Sequence, residues 1–219
     1  MTTHHNIDKL IAIINESFVE KTAPEWILYK NHHLPSGAIY LKKIFTYPVK
    51  SCGAMEVSQW KINERGLEYD REWMIVNKNE ICLTQKQEPK LSLIKPKIDF
   101  DLKILKLSFR GSLEGMSVPL EADGSVSSYD LCESKVCGDR IKIYDCGDEV
   151  SEWLSKNLGV KGLRLVRQCK EDERKCKSKE SLGMLSLSNQ AQYLMINDAS
   201  VRWLQSRIEA ENDFNPVSI

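Results

Sequence analysis

Between Tyr47 and Ile94, three apolar, β-branched runs each meet a short polar cluster. Lys50-Ser51 follows Tyr47-Pro48-Val49, Asp70-Arg71 precedes Trp73-Met74-Ile75-Val76, and Thr84-Gln85-Lys86-Gln87 follows Ile81-Cys82-Leu83. Charged side chains are rarely fully buried unless they are paired. Strands that end on such clusters must therefore place those ends where charge is tolerated. If the ends converge, they form a lip suited to an anionic ligand.

The surrounding texture is that of a meander of short strands. Ala38 to Val49 reads as one strand and Glu56 to Ile62 as another. Trp73 to Val76 is a third, joined by an Asn77–Glu80 turn to Ile81–Thr84. Gln87 to Leu91 begins a short helical turn, and Ser92–Lys97, Asp99–Leu102, Ile104–Phe109 and Met116–Leu120 continue the strands. This density of strands predicts a β-barrel or a strongly curved sheet. After Asp123-Gly124-Ser125 the pattern becomes mixed, with strands at Lys135–Cys137, Arg140–Tyr144, Leu163–Val166 and within Ser186–Ile196. A helix is expected over Glu149–Leu158, capped by Asp145 or Asp148 and closed by Gly159, and another over Ser200–Ala210. Near the start, Ile7, Leu10, Ile11, Ile14 and Phe18 have helical spacing. The charged run Lys170–Glu180 reads as a solvated loop. The fold class expected is α+β, mainly β.

Composition narrows the function. The 219 residues carry 31 Lys+Arg and 31 Asp+Glu, a formal net charge of zero. That balance argues against non-specific binding to nucleic acid or to a membrane surface, both of which need a clustered basic field. No run of about 18 apolar residues is present to span a bilayer. Met1 to Asn6 is polar, so no signal peptide is expected. The seven cysteines form no Cys-x-x-Cys pair, and reduced thiols in a cytoplasmic protein are expected. The four histidines, 4, 5, 32 and 33, lie far from any close pair of cysteines, so no metal site is expected.

Each cluster has a functional reading beside a structural one. Lys50 offers a point charge to phosphate and Ser51 a rotatable hydroxyl, or the pair is a surface turn. Arg71 offers a planar fork that Asp70 could hold, or the two are a structural ion pair. Gln85 and its neighbours could read a heterocycle edge, or simply end a strand. Cys52, beside Lys50, is either a thiol activated by a cation or a small buried residue opening the Gly53 turn. Ser188, within Leu185-Ser186-Leu187-Ser188-Asn189-Gln190, could present its hydroxyl to a ligand, or lie on an edge strand.

Taken together, Tyr47–Gly53, Gly66–Trp73, Gln85–Pro89, Cys137–Arg140, Tyr144–Gly147 and Leu185–Leu194 resemble, in order, the MOSC N-terminal β-barrel domain. The likeness runs from about residue 35 to the end and is nearest to the C-terminal region of molybdenum cofactor sulfurases. Amidoxime-reducing molybdenum proteins share the Tyr-Pro-Val-Lys-Ser-Cys run but usually have Ala-Arg-Gln in place of Gln85-Lys86-Gln87. The resemblance implies a helical remnant or linker over 1–35, a barrel domain over 36–124, and an incomplete mixed α/β MOSC portion over 125–219.

It also implies a role. In that family an upstream cysteine desulfurase domain with pyridoxal phosphate passes sulfur to molybdenum cofactor (molybdopterin) held by the C-terminal region. The product serves xanthine dehydrogenase and aldehyde oxidase. Lys50, Ser51 and Arg71 match positions that grip the pterin phosphate, and Ser188 matches a segment lining the same pocket; Gln85 is added as a cofactor-binding candidate. The desulfurase, the Arg-Phe-Arg-x-Asn segment and the MOSC cysteine have no counterpart here. The expectation is thus a cofactor-binding portion that is inactive alone. An amidoxime-reducing oxidoreductase and a non-catalytic fragment are the alternatives.

Overall fold

The computed structural model describes residues 41–121, 131–136, 139–175, 183–189 and 191–207. In chain order the strands are β1 (Ile44–Thr46), β2 (Met55–Val57), β3 (Ile62–Asn63), β4 (Gly66–Leu67), β5 (Trp73–Val76) and β6 (Ile94–Asp99). They continue as β7 (Ile104–Phe109), β8 (Met116–Pro119), β9 (Leu131–Val136), β10 (Asp139–Asp145) and β11 (Arg164–Gln168). The helices are α1 (Asp148–Leu158) and α2 (Asp198–Gln205). The described residues are thus mainly β, with all sheets antiparallel: β1–β2, β3–β4, β6–β7–β8, and a four-stranded sheet ordered β5–β11–β10–β9. The helix expected near Ile7 lies outside the described residues.

β5 is the centre of the molecule. Its four residues are all apolar and all buried, because both faces of the strand are covered. Side chains alternate across a strand, so Trp73 and Ile75 face the larger core with Leu91, Ile94, Leu105, Leu107 and the helix residues Val150, Trp153 and Leu154. Met74 and Val76 face a smaller cluster of Cys82, Ile141, Ile143, Val166 and Leu187. Each large apolar side chain sealed in this way contributes roughly 1.5–3 kcal/mol. An apolar run without alternation is what a doubly covered strand requires.

The expected helix appears as α1, burying Val150, Trp153, Leu154 and Leu158 on one face that packs on β8 and β11. Gly159 closes it in the left-handed region at φ 74°, where a Cβ would be strained. The start differs from expectation: Gly147 is the N-cap, and no side chain caps the helix. Asp145 instead accepts from Gly147 N at 2.8 Å and holds Arg164.

Three other expectations are corrected. Glu56–Ile62 is not one strand but two short ones, β2 and β3, in different sheets. Asp99–Leu102 is no strand of its own: Asp99 ends β6 and 100–103 form a turn, in which Asp99 Oδ1 accepts from Leu102 N at 3.0 Å as the chain is redirected into β7. The strand expected within Ser186–Ile196 is absent from the described residues of that stretch, 186–189 and 191–196; just before it, Met184 pairs in a single bridge to Lys175. β5 and β11 lie on opposite sides of the boundary expected at 124 and are paired directly, Leu165 opposite Ile75.

Candidate anionic-ligand site

The first two polar clusters are brought side by side by the backbone. Arg71 N donates to Tyr47 O at 2.8 Å, Trp73 N to Pro48 O at 3.1 Å, and Lys50 N to Trp73 O at 2.7 Å. Val49 and Trp73 form a parallel bridge. Gly53 N then reaches Ile94 O at 2.8 Å, so close that a Cβ on Gly53 would sit 2.9 Å from that oxygen. Glycine is required there, and it ties the Lys50-Ser51 turn to β6. Ser51 and Arg71 both adopt left-handed backbone, at φ 66° and 52°. Non-glycine residues held in that region concentrate at ligand sites.

Asp70 organises the second cluster. Its Oδ1 accepts from Tyr47 N at 2.7 Å and Thr46 Oγ1 at 3.3 Å, and its Oδ2 takes Arg71 Nη1 at 2.5 Å. Asp70 is 5% exposed. Burial raises its pKa above the ordinary value, against the opposing pull of Arg71 and the hydrogen bonds. The Arg71 guanidinium also lies over the Tyr47 ring, 5.5 Å from its centroid. One of its five N–H groups is used by Asp70, and the remainder have no acceptor among the described residues.

The strip 185–189 closes the site from the other side. Leu187 N donates to Arg71 O at 2.9 Å, and Leu187 O accepts from Lys50 Nζ at 2.7 Å. Asn189 Oδ1 accepts from the same ammonium at 2.6 Å. Ser188, 3% exposed, keeps a buried hydroxyl with no hydrogen-bond partner among the described residues. A buried hydroxyl without a partner costs free energy until a ligand or water meets it. From the third cluster, Gln85 Nε2 donates to Ser51 O at 2.9 Å. Contacts thus link Lys50, Ser51, Arg71, Gln85 and the segment bearing Ser188.

Cys52 is different. It is 2% exposed, packed in the larger core, and burial pushes its thiol pKa up, with Cys82 adding to the effect. The cation expected to activate it is turned toward Leu187 and Asn189 instead. The thiol packs as a core group, which is the geometry of the second alternative for Cys52, the small buried residue at the Gly53 turn.

Two further residues belong to the site that their sequence context does not single out. Asn189 lies in a polar run. Arg174 fell in the stretch read as solvated, yet it is 8% exposed and donates to Ser186 O at 2.7 Å and Ser188 O at 2.5 Å. Among the described residues no group of metal-ligating side chains is found, and no helix is long and apolar enough to cross a membrane.

Residues 38–161 match the MOSC N-terminal beta barrel domain. The chain is 46% identical over 211 residues to a molybdenum cofactor sulfurase of Bombyx mori, covering 93% of this chain and 25% of that protein. It is 48% identical over 171 residues to the molybdenum cofactor sulfurase of Danio rerio, covering 77% of this chain and 20% of that one. With the protein of the same name from Homo sapiens it shares 39% over 184 residues, covering 81% and 20%. The chain therefore spans a quarter or less of the length of these relatives.

Proposed function

The chain belongs to the family of the MOSC N-terminal beta barrel domain, and from that premise we propose that it is the molybdenum cofactor-holding part of a molybdenum cofactor sulfurase. Its substrate is the cofactor, gripped by the pterin phosphate. Lys50 supplies the point charge, Arg71 the fork, Ser51 and Ser188 hydroxyls, and Gln85 stiffens the Ser51 turn from behind. The observation that carries this reading is the convergence of Lys50, Arg71 and the Leu187–Asn189 strip through three contacts under 3 Å.

The donor set suits a phosphate. Charge-assisted hydrogen bonds are shorter and stronger than neutral ones, each worth roughly 1.5–3 kcal/mol. Asp70 locks the Arg71 guanidinium, so little side-chain freedom remains to be lost when the ligand arrives. The unpartnered Ser188 hydroxyl gains an acceptor, which converts a buried liability into binding free energy.

In the parent protein we place a pyridoxal-phosphate cysteine desulfurase domain upstream in cis as the sulfur source. Xanthine dehydrogenase and aldehyde oxidase are the recipients of the sulfurated cofactor. Residues 125–219 belong to the MOSC portion, and the protein works in the cytoplasm. The chain by itself receives the cofactor without sulfurating it.

Expression of the 219-residue chain in a host that makes molybdopterin tests the binding claim. The purified chain is expected to carry the pterin, detected as its fluorescent oxidation product. A well-folded chain that never carries pterin, even after incubation with free molybdopterin, would overturn the proposal.

A further inference from the structure

We infer that Arg174 is a positioning residue for the ligand site, acting through the 186–189 strip to set the place of the Lys50 ammonium and the Ser188 hydroxyl. For its consequence in ligand binding, this inference rests on the function proposed above.

The strip is held between two cations. On one side, Arg174 Nη1 donates to Ser186 O at 2.7 Å and Ser188 O at 2.5 Å, with Nη2 at 3.3 Å from Asn189 O. On the other, Lys50 Nζ donates to Leu187 O at 2.7 Å and to Asn189 Oδ1 at 2.6 Å. The carbonyls of 186 and 188 thus serve Arg174, and that of 187 serves Lys50. The main chain of Arg174 completes the grip, accepting from Leu185 N at 2.7 Å.

No regular ladder holds this strip, because residues 185–189 belong to no strand. Its buried carbonyls must still be paired, and the Arg174 guanidinium pairs those of 186 and 188, and reaches the part-buried carbonyl of 189, from one rigid plane. A planar fork fixes not only that these groups are bonded but how they are oriented relative to one another. Leu187 O and Asn189 Oδ1 are then aimed at one point, where the Lys50 ammonium sits. Ser188 is carried in the same arc, its hydroxyl buried and unpartnered. A purely structural Arg174 would satisfy carbonyls and stabilise the fold, with no special effect on Lys50.

Two variants separate the readings: Arg174→Gln, and Arg174→Lys, which keeps a buried cation should the first fail to fold. The first readout needs no pterin. Acetylation of individual lysines in the folded chain is followed by peptide mass spectrometry. In a folded variant, Lys50 is expected to react about tenfold faster than in wild type, one hydrogen bond's worth of lost tethering. The exposed Lys161 and Lys103 should be unchanged. An unchanged Lys50 rate overturns the inference.

The second readout is a double-mutant cycle on molybdopterin affinity. The Arg174 variant should weaken binding by about tenfold when Lys50 is present, and by less than about threefold in a Lys50→Ala background. Additive losses would also overturn it, leaving Arg174 a structural residue only. Should wild type bind no molybdopterin while Lys50 still becomes reactive in the variants, the binding proposal fails and the positioning of Lys50 by Arg174 stands.

Discussion

The Lys50 ammonium lies 2.7 Å from the main-chain oxygen of Leu187, a residue 137 positions later in the chain. This contact joins the first polar strand end to the last polar segment of the site, and Asn189 reinforces it at 2.6 Å. Asn189→Ala removes this anchor of the ammonium and leaves the Leu187 carbonyl in place. Losing that one anchor should weaken molybdopterin binding by about three- to tenfold, in line with one hydrogen bond of roughly 1 kcal/mol. Isothermal titration against wild type measures the change, and an affinity equal to wild type would show that Asn189 does not place Lys50 for the ligand.

Arg71→Lys keeps the charge and the pair with Asp70 but loses the planar fork. Molybdopterin affinity should fall by about tenfold, the value of one charge-assisted hydrogen bond at the lower end of its range. The urea midpoint should move by less than the equivalent of about 1 kcal/mol. A lysine variant that binds as tightly as wild type would mean that no bidentate contact is made there.

Asp70 gives a pH dependence of known sign. Its pKa is raised in the folded chain, so between the ordinary value near 3.8 and the higher folded value the native state holds more protons than the unfolded one. Its contribution therefore favours the fold at acid pH and diminishes as pH rises through that window. Asp70→Asn should remove this component. The difference in melting temperature, wild type minus variant, should fall as pH rises above the ordinary value near 3.8. A difference that instead climbs over that range would show that Arg71 outweighs burial at this carboxyl.

Cys52 should be inert. In the native chain, iodoacetamide is expected to spare Cys52, whereas denaturation should make it as reactive as the other thiols. Cys52→Ala should bind molybdopterin within about twofold of wild type and cost on the order of 1 kcal/mol of stability, as small core truncations do. Rapid native labelling of Cys52 would restore it as a candidate nucleophile.

Much of this was legible in local pattern. β5 and β7 follow from runs of β-branched and aromatic residues, and α1 from the spacing of Val150, Trp153 and Leu154 with a glycine stop. The three polar clusters mark chain ends that come together: Lys50 N reaches Trp73 O beside Arg71, and Gln85 Nε2 reaches Ser51 O. What local pattern does not encode is long-range partnership. Nothing near Trp73 specifies that β11 lies beside it, or that Leu187 seals the small core beneath Met74. Arg174 looked solvated because its neighbours are charged; its burial comes from three carbonyls supplied by a distant strip. Adjacency in sequence does not say that the Lys50 ammonium bonds Leu187 O while the Cys52 side chain packs in the core.

Titration of molybdopterin into Lys50→Ala and wild-type chains, each accompanied by a thermal melt, tests the central claim most directly. Lys50→Ala is expected to bind ten- to a hundredfold more weakly, roughly the loss of one charge-assisted contact of 1.5–3 kcal/mol. Its fold should survive, with at most about 1–3 kcal/mol lost through the unpaired Leu187 carbonyl. Wild-type affinity in Lys50→Ala would contradict the account. A variant whose melt collapses before binding can be measured would make Lys50 a scaffold residue and contradict it as well.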